Sequence, residues 1–301
     1  MNETRRGALF GATAYLLWGV FPLYFPLLGP ADPGEILAHR ISWSLLVMAV
    51  IVLAVKRQAG VRAVLADRRR FATLAAAATF LAINWGVYIY GVTSEQVVET
   101  SLGYFITPLL TVLLGVVVLR ERLRPAQWAA LSLAAVAVLV LAIENGKPPW
   151  IALTLAFSFG TYGLLKKTAR VGAVEGLAVE TAVLSPVALA YLAWLGLSGG
   201  STFSSHGPDH VVLLALTGVI TAVPLLLFGA AASRVPLTTL GVLQYLAPTV
   251  QFLIGVAVLG EPMGRAKLLG FGLVWLALLA FTADLMSHRR RASRILVSEP
   301  V

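Results

Sequence analysis

Ionisable and amide side chains inside long apolar stretches are the residues of this chain whose type and position could do chemistry. His39, Arg40, Glu99, Glu180 and Arg234 lie within or beside such stretches, where a charge is costly and a function is the default expectation. Their chemistry would be ion pairing and proton exchange. Two pairs are expected, Arg40 with Glu99 at one membrane surface and Glu180 with Arg234 at the other, each a gate that opens when its counterpart closes. His39, Glu99 and Glu180 are the candidate proton carriers, because each titrates usefully if its surroundings shift it. Snorkelling to the interface is the competing structural reading.

Asn84 and Tyr88 stand four residues apart and share a helix face. With Trp85, Tyr104, Gln244, Tyr245 and Gln251 they would offer hydrogen bonds beside aromatic surface, a binding cavity for a small-molecule substrate. The amides carry more weight than the rings, since in lipid an amide needs an internal partner, whereas tyrosines and tryptophans also pack and form interfacial belts. Pro108 and Pro248 are expected mid-helix, each freeing a carbonyl and permitting a kink or hinge.

Nucleophilic and metal chemistry find no footing. The chain has no cysteine and no H-E-x-x-H, and no G-x-x-x-x-G-K-[ST] loop that would hold a nucleotide. His206 and His210 have metal-binding spacing, but they sit in a connection rich in glycine and serine. No metal, no cofactor and no enzymatic activity are expected.

The elements that hold these residues follow from composition. Of 301 residues 58% are hydrophobic and 12% charged, with mean hydropathy +0.86, too little polar surface to cover a water-facing globule. Apolar stretches run over 7–28, 41–55, 71–94, 100–119, 125–143, 148–165, 181–205, 211–233, 235–260 and 268–283. About 20 apolar residues cross the hydrocarbon as a helix, so an all-α integral membrane protein of ten spans is expected. The first stretch is too long for the core of a cleavable signal.

Charge gives the orientation. With the N-terminus cytoplasmic, 19 of the 23 basic residues gather on the inner side, including Arg68, Arg69, Arg70, Arg120, Arg122, Arg124, Lys166, Lys167 and Arg289 to Arg291. Both termini are therefore expected to be cytoplasmic, and the basic excess needs no nucleic-acid partner.

The stretch 101–124 returns 140 positions later as 241–264. Pro108 matches Pro248, Gly115 matches Gly255 and Glu121 matches Glu261, while Arg120, Arg122 and Arg124 become Gly260, Pro262 and Gly264. Five spans per half is an odd number, so the second half enters from the opposite side, and the loss of charge fits that inversion. The expected organisation is a first five-helix repeat over 1–145, an inverted second repeat over 146–287 and a basic cytoplasmic tail over 288–301. Inverted repeats with a site at their interface are the architecture of secondary transporters, the lipid bilayer and a small solute being the partners and protons a candidate coupling ion. A non-transporting scaffold or receptor bundle is the alternative.

Several motifs together resemble the EamA-type drug/metabolite transporters: EILAHRISWS at 35–44, Asn84-Trp85, ETSLGYFITPL at 99–109, Glu180-Thr181, TAVPLL at 221–226 and TLGVLQYLAPT at 239–249. The resemblance implies a multi-pass protein of the bacterial inner membrane that exports small organic molecules by alternating access. It also implies the chloramphenicol-sensitivity permease label attached to such proteins, a weak guide to substrate. It supplies no assigned set of site residues.

Overall fold

In hydrocarbon a backbone N–H or C=O finds no water, so a spanning segment must satisfy its own ladder and folds as helix. A helix falls on every apolar stretch of the chain. The computed structural model describes residues 3–119, 125–144, 146, 148–232, 234–235 and 243–297, with backbone alone for 284–297. Arg120, Glu121, Arg122, Arg124 and Lys147 of the charge pattern lie outside the described residues.

In chain order the elements are α1 (Glu3–Gly19), α2 (Phe21–Tyr24), a 3-10 turn (Phe25–Leu28), α3 (Pro33–Ala54), α4 (Gln58–Ala66), α5 (Arg68–Thr93) and α6 (Val97–Leu119). There follow α7 (Pro125–Glu144), α8 (Trp150–Ala169), α9 (Ala173–Ser198), α10 (Gly207–Ala232), α11 (Leu246–Leu253), a π turn (Ile254–Val258) and α12 (Arg265–Val297). Among the described residues five segments are long and apolar enough to cross a membrane: Glu3–Leu28, Pro33–Ala54, Arg68–Thr93, Ala173–Ser198 and Gly207–Ala231. Besides the buried core, many large apolar side chains point outward, Leu197 being 91% exposed and Ile143 80%, a surface that belongs in lipid.

Three local departures from expectation have physical causes. The first span is broken into α1, α2 and the 3-10 turn at the prolines Pro22 and Pro26. The seventh helix stops at Ser198, where Gly199 takes φ +75°, a left-handed cap that glycine enters without steric cost; 199–206 is connection, not span. Pro248 is not mid-helix: it lies in the first turn of α11, behind turn residues Gln244 and Tyr245. A proline ring clashes with the carbonyl four residues back, and that residue is Gln244. Pro108, by contrast, lies inside α6.

The helices interlock. α3 packs on α9 and α10, α5 on α8 and α9, α6 on α8 and α11, α1 on α10 and α11, and α7 on α12. α3 and α9 run antiparallel, Gly34 lying by Tyr191 and Met48 clustering with Leu177. α6 and α11 are antiparallel too, since Glu261 beyond the π turn accepts the Val97 and Val98 N–H groups that open α6. Burial pushes the Glu261 carboxyl above the ordinary carboxylate range, while the two N–H groups pull it back.

Backbone contact between α3 and α10 depends on Gly218, where a Cβ would stand 2.5 Å from the Trp43 carbonyl carbon. Gly163 has nothing within 4 Å. Gly218→Ala is expected to lower stability in detergent by about 1–3 kcal/mol through overpacking, and Gly163→Ala to leave the unfolding midpoint unchanged or raised. Thermal unfolding of both variants checks this.

Candidate functional site

Asp32 sets the phase of α3: its carboxylate accepts the Gly34 and Glu35 N–H groups at 2.7 and 3.0 Å ahead of Pro33 at the first helical position, a capped start. From that start Glu35, Ile36, His39 and Arg40 turn inward and are buried. Asp67 does the same for α5 by accepting from Arg69 and Arg70 N–H, and the inward face of α5 carries Asn84, Trp85 and Tyr88.

Among the described residues Arg40 has no carboxylate partner. Its Nε donates to Thr221 Oγ1 at 2.8 Å, and its guanidinium carbon stands 4.2 Å from the Trp85 ring centroid and 5.6 and 5.7 Å from those of Phe21 and Phe25. Its Nη1 and the Tyr88 hydroxyl are buried without hydrogen-bond partners.

Beside it Asn84 is fully used. Its Nδ2 donates to Leu155 O and Ser158 Oγ, both at 3.2 Å, and its Oδ1 accepts from the Tyr104 hydroxyl at 3.0 Å. One amide thus ties α5, α6 and α8 together.

From here aromatic rings form a continuous track. Centroids of Phe25 and Tyr88 lie 5.9 Å apart, Tyr88 and Tyr104 5.7 Å, Tyr104 and Phe159 5.9 Å, and Phe159 and Tyr162 5.8 Å. Tyr162 ends the track by donating to Glu180 Oε2 at 3.3 Å, and Lys166 Nζ meets Glu180 Oε1 at 2.7 Å. Arg40 and Glu180, which the 140-residue offset makes equivalent, therefore stand at the two ends of one row of rings.

Two further contacts join the halves. Glu35 Oε1 accepts from Ser201 Oγ and Thr202 N at 3.0 and 2.8 Å, and Oε2 accepts from Thr202 Oγ1 at 2.8 Å. Thr202 Oγ1 also lies 2.9 Å from His210 Nε2, and His39 stacks on Phe203 at 4.7 Å. Glu175, the residue equivalent to Glu35, pairs through Oε1 with Arg57 Nη1 at 3.1 Å and covers Gly60 of α4. Each glutamate fastens the segment that precedes the third long helix of the other half.

Both expected ion pairs are replaced. Glu99 accepts from Ile151 N at 3.1 Å and so caps α8 rather than meeting Arg40; α3 packs on α9, α10 and α5, and Arg40 turns into the rings between them. Glu180 takes Lys166 instead of Arg234, because the short turn after α8 folds the last turn of that helix onto the first turns of α9. Arg234 meets Glu3 Oε2 at 3.1 Å and Ala230 O at 2.8 Å. The cavity residues divide as well. Asn84, Trp85, Tyr88 and Tyr104 come together. Gln251 donates to Trp18 O at 3.1 Å, Tyr245 packs with the cluster of α6, α7 and α12, and half-buried Gln244 lies near the Tyr245 hydroxyl. Sequence reasoning missed Glu35, Glu175, Thr202, Lys166 and Thr221 as partners. The match of Glu35 with Glu175 was the visible signal for the first two.

Long apolar helices with outward apolar side chains, together with ionisable groups confined to their interior, define a multi-pass helical membrane protein. The EamA-like transporter family model matches residues 5–143 and again 148–283, and the chain belongs to that family. It is 53% identical over 300 residues to Protein RarD of Streptomyces exfoliatus, covering 99% of this chain and 95% of that one. It is 39% identical to Protein RarD of Escherichia coli strain K12, covering 97% and 99%. With the Chloramphenicol-sensitive protein RarD of Pseudomonas aeruginosa it shares 33% identity, covering 98% and 99%. A solved structure titled only "Crystal structure of protein" shares the fold at TM-score 0.60 and 22% identity, covering 94% of this chain and 98% of that one. The protein is a membrane transporter of the drug/metabolite type.

Asn84→Leu strands the Tyr104 hydroxyl in a buried site and removes the donor that Ser158 Oγ accepts from, while Ser158 keeps its own bond to Thr154 O at 2.6 Å. The expected loss is about 1–3 kcal/mol, with Tyr104→Phe costing less. Unfolding in micelles should give a double-mutant coupling of about 0.5–2 kcal/mol between the two positions.

Proposed function

We propose that the protein moves a small organic molecule across the bacterial inner membrane by alternating access, exporting it from the cytoplasm, with ten spans, both termini inside, and residues 1–145 and 146–287 acting as inverted halves. One observation carries the reading. Shifting residue numbers by 140 exchanges α1 with α8, α3 with α9, α5 with α10, α6 with α11 and α7 with α12. Under that exchange the packing of α1 on α10 becomes that of α8 on α5, α1 on α11 becomes α8 on α6, and α3 on α10 becomes α9 on α5; α3 on α9, α6 on α11 and α7 on α12 map onto themselves. The antiparallel course of α3 against α9 and of α6 against α11 supports inversion.

Two nearly equivalent packings give such a molecule two conformations of similar energy, one open to each side. The gates in this reading are the clasps of Glu35 on Ser201 and Thr202 at the outer surface and of Glu175 on Arg57 at the inner. They replace the pairs Arg40 with Glu99 and Glu180 with Arg234. The solute path is the aromatic track between Arg40 and Glu180, with Asn84 fixing the rings around it.

Flux in proteoliposomes tests the reading. Substrate-dependent flux that falls at least tenfold in Glu180→Gln, while the variant unfolds at a similar temperature, supports it. Absence of flux for every solute tested, with a protein partner captured instead, contradicts it. The clasps make a separate prediction. Because the chain has no cysteine, single cysteines can be labelled against a silent background. Glu35→Gln is expected to raise labelling of buried positions from outside and Glu175→Gln from inside. Equal labelling in both variants would show that neither contact gates the path.

A further inference from the structure

We infer that Arg40 anchors an anion-binding site, and that the solute carried bears a carboxylate or similar oxyanion on an apolar, aromatic-compatible body; this rests on the transport reading above. Arg40 is 3% exposed, and among the described residues it forms no ion pair; its Nε bond goes to the Thr221 hydroxyl. A guanidinium is always charged, and burial of a charge without a counter-charge is strongly unfavourable. Contacts with the faces of Trp85, Phe21 and Phe25 offset only part of that cost. The counter-charge that no described residue supplies comes, in this reading, from a ligand.

The geometry says how it would be held. Trp85 covers the flat face of the guanidinium and Thr221 occupies Nε, which leaves the terminal amino edge, where Nη1 has no partner. That edge is the one a carboxylate meets with two parallel hydrogen bonds. The Tyr88 hydroxyl, buried and equally without a partner, is with Tyr104 an electrostatic neighbour of Arg40, so α3 and α5 each hold an unpartnered polar group in this region. The equivalent position in the other half supplies a contrast: Glu180 is buried too, but Lys166 neutralises it at 2.7 Å. Glu35, the acidic residue nearest in sequence on α3, has both oxygens engaged by Ser201 and Thr202. An aromatic wall beside one unanswered cation fits an organic anion with an apolar body.

The test uses the full chain in detergent micelles and three probes: benzoate, its neutral analogue benzamide, and chloride. Benzoate is expected to raise the unfolding midpoint and change tryptophan fluorescence saturably. Its affinity should fall at least tenfold in Arg40→Lys, which keeps the charge without the fork, and vanish in Arg40→Gln. Tyr88→Phe, which leaves Arg40 in place, should weaken benzoate several-fold and so provides the comparison if Arg40→Gln fails to fold. The inference is overturned if benzoate does not bind, if benzamide or chloride binds as well, or if benzoate binds equally to the Arg40 and Tyr88 variants. Benzoate binding without flux of any solute would uphold the anion site and remove the transport reading. Flux of neutral solutes with no benzoate binding would do the reverse.

Discussion

Charge held in hydrocarbon has to be answered, and the way this molecule answers each charge determines how the rest of it is arranged. Glu180 is answered by Lys166 and Tyr162 across the turn that joins α8 and α9. Glu35 and Glu175 are answered by the segments ahead of α10 and α5, so the answer itself becomes a contact between halves. Arg40 is the one cation of these four, and it has rings and a single hydroxyl around it where Glu35 has three hydrogen-bond donors. Low dielectric magnifies the difference, since neither a paired nor an unpaired charge is screened there as it would be in water.

Close packing of helix backbones makes those answers possible. Between helices in lipid there is little hydrophobic driving force, and small residues that allow near contact take its place. Gly218 against Trp43 and Gly103 against Ala152 bring α10 to α3 and α6 to α8. The same approach places Thr221 under Arg40 and Ser158 beside Asn84. Hydrogen bonds across helices then lock in registers that packing alone would leave free to slide.

Much of this was legible in the sequence because it depends on one-dimensional signals. Apolar length gives the helices, and the 140-residue offset gives the matched partners. Side-chain pairing was less legible, because it depends on which helix faces which. Arg40 and Glu99 looked like neighbours by depth, yet α3 does not present Arg40 to α6 as an ion-pair partner. The sequence pairs Glu180 with a distant arginine, while Lys166, fourteen residues before it, reaches it through a tight turn. Pro248 read as a mid-helix kink, and it lies instead in the first turn of α11, just past the two turn residues Gln244 and Tyr245. The value of Glu35 and Glu175 was present in the offset, but their partners sit in connections that carry no periodic signal.

The central claim is that two equivalent halves exchange roles across the membrane. It is tested most directly by paired distances in one population of molecules. Spin labels at Pro33→Cys with Ser205→Cys report the outer clasp, and labels at Ala173→Cys with Leu65→Cys report its equivalent on the inner side. The account predicts two distance populations for each pair, with solute or lipid composition lengthening one pair as it shortens the other. A single fixed distance at both surfaces, or the two pairs lengthening together, would contradict it.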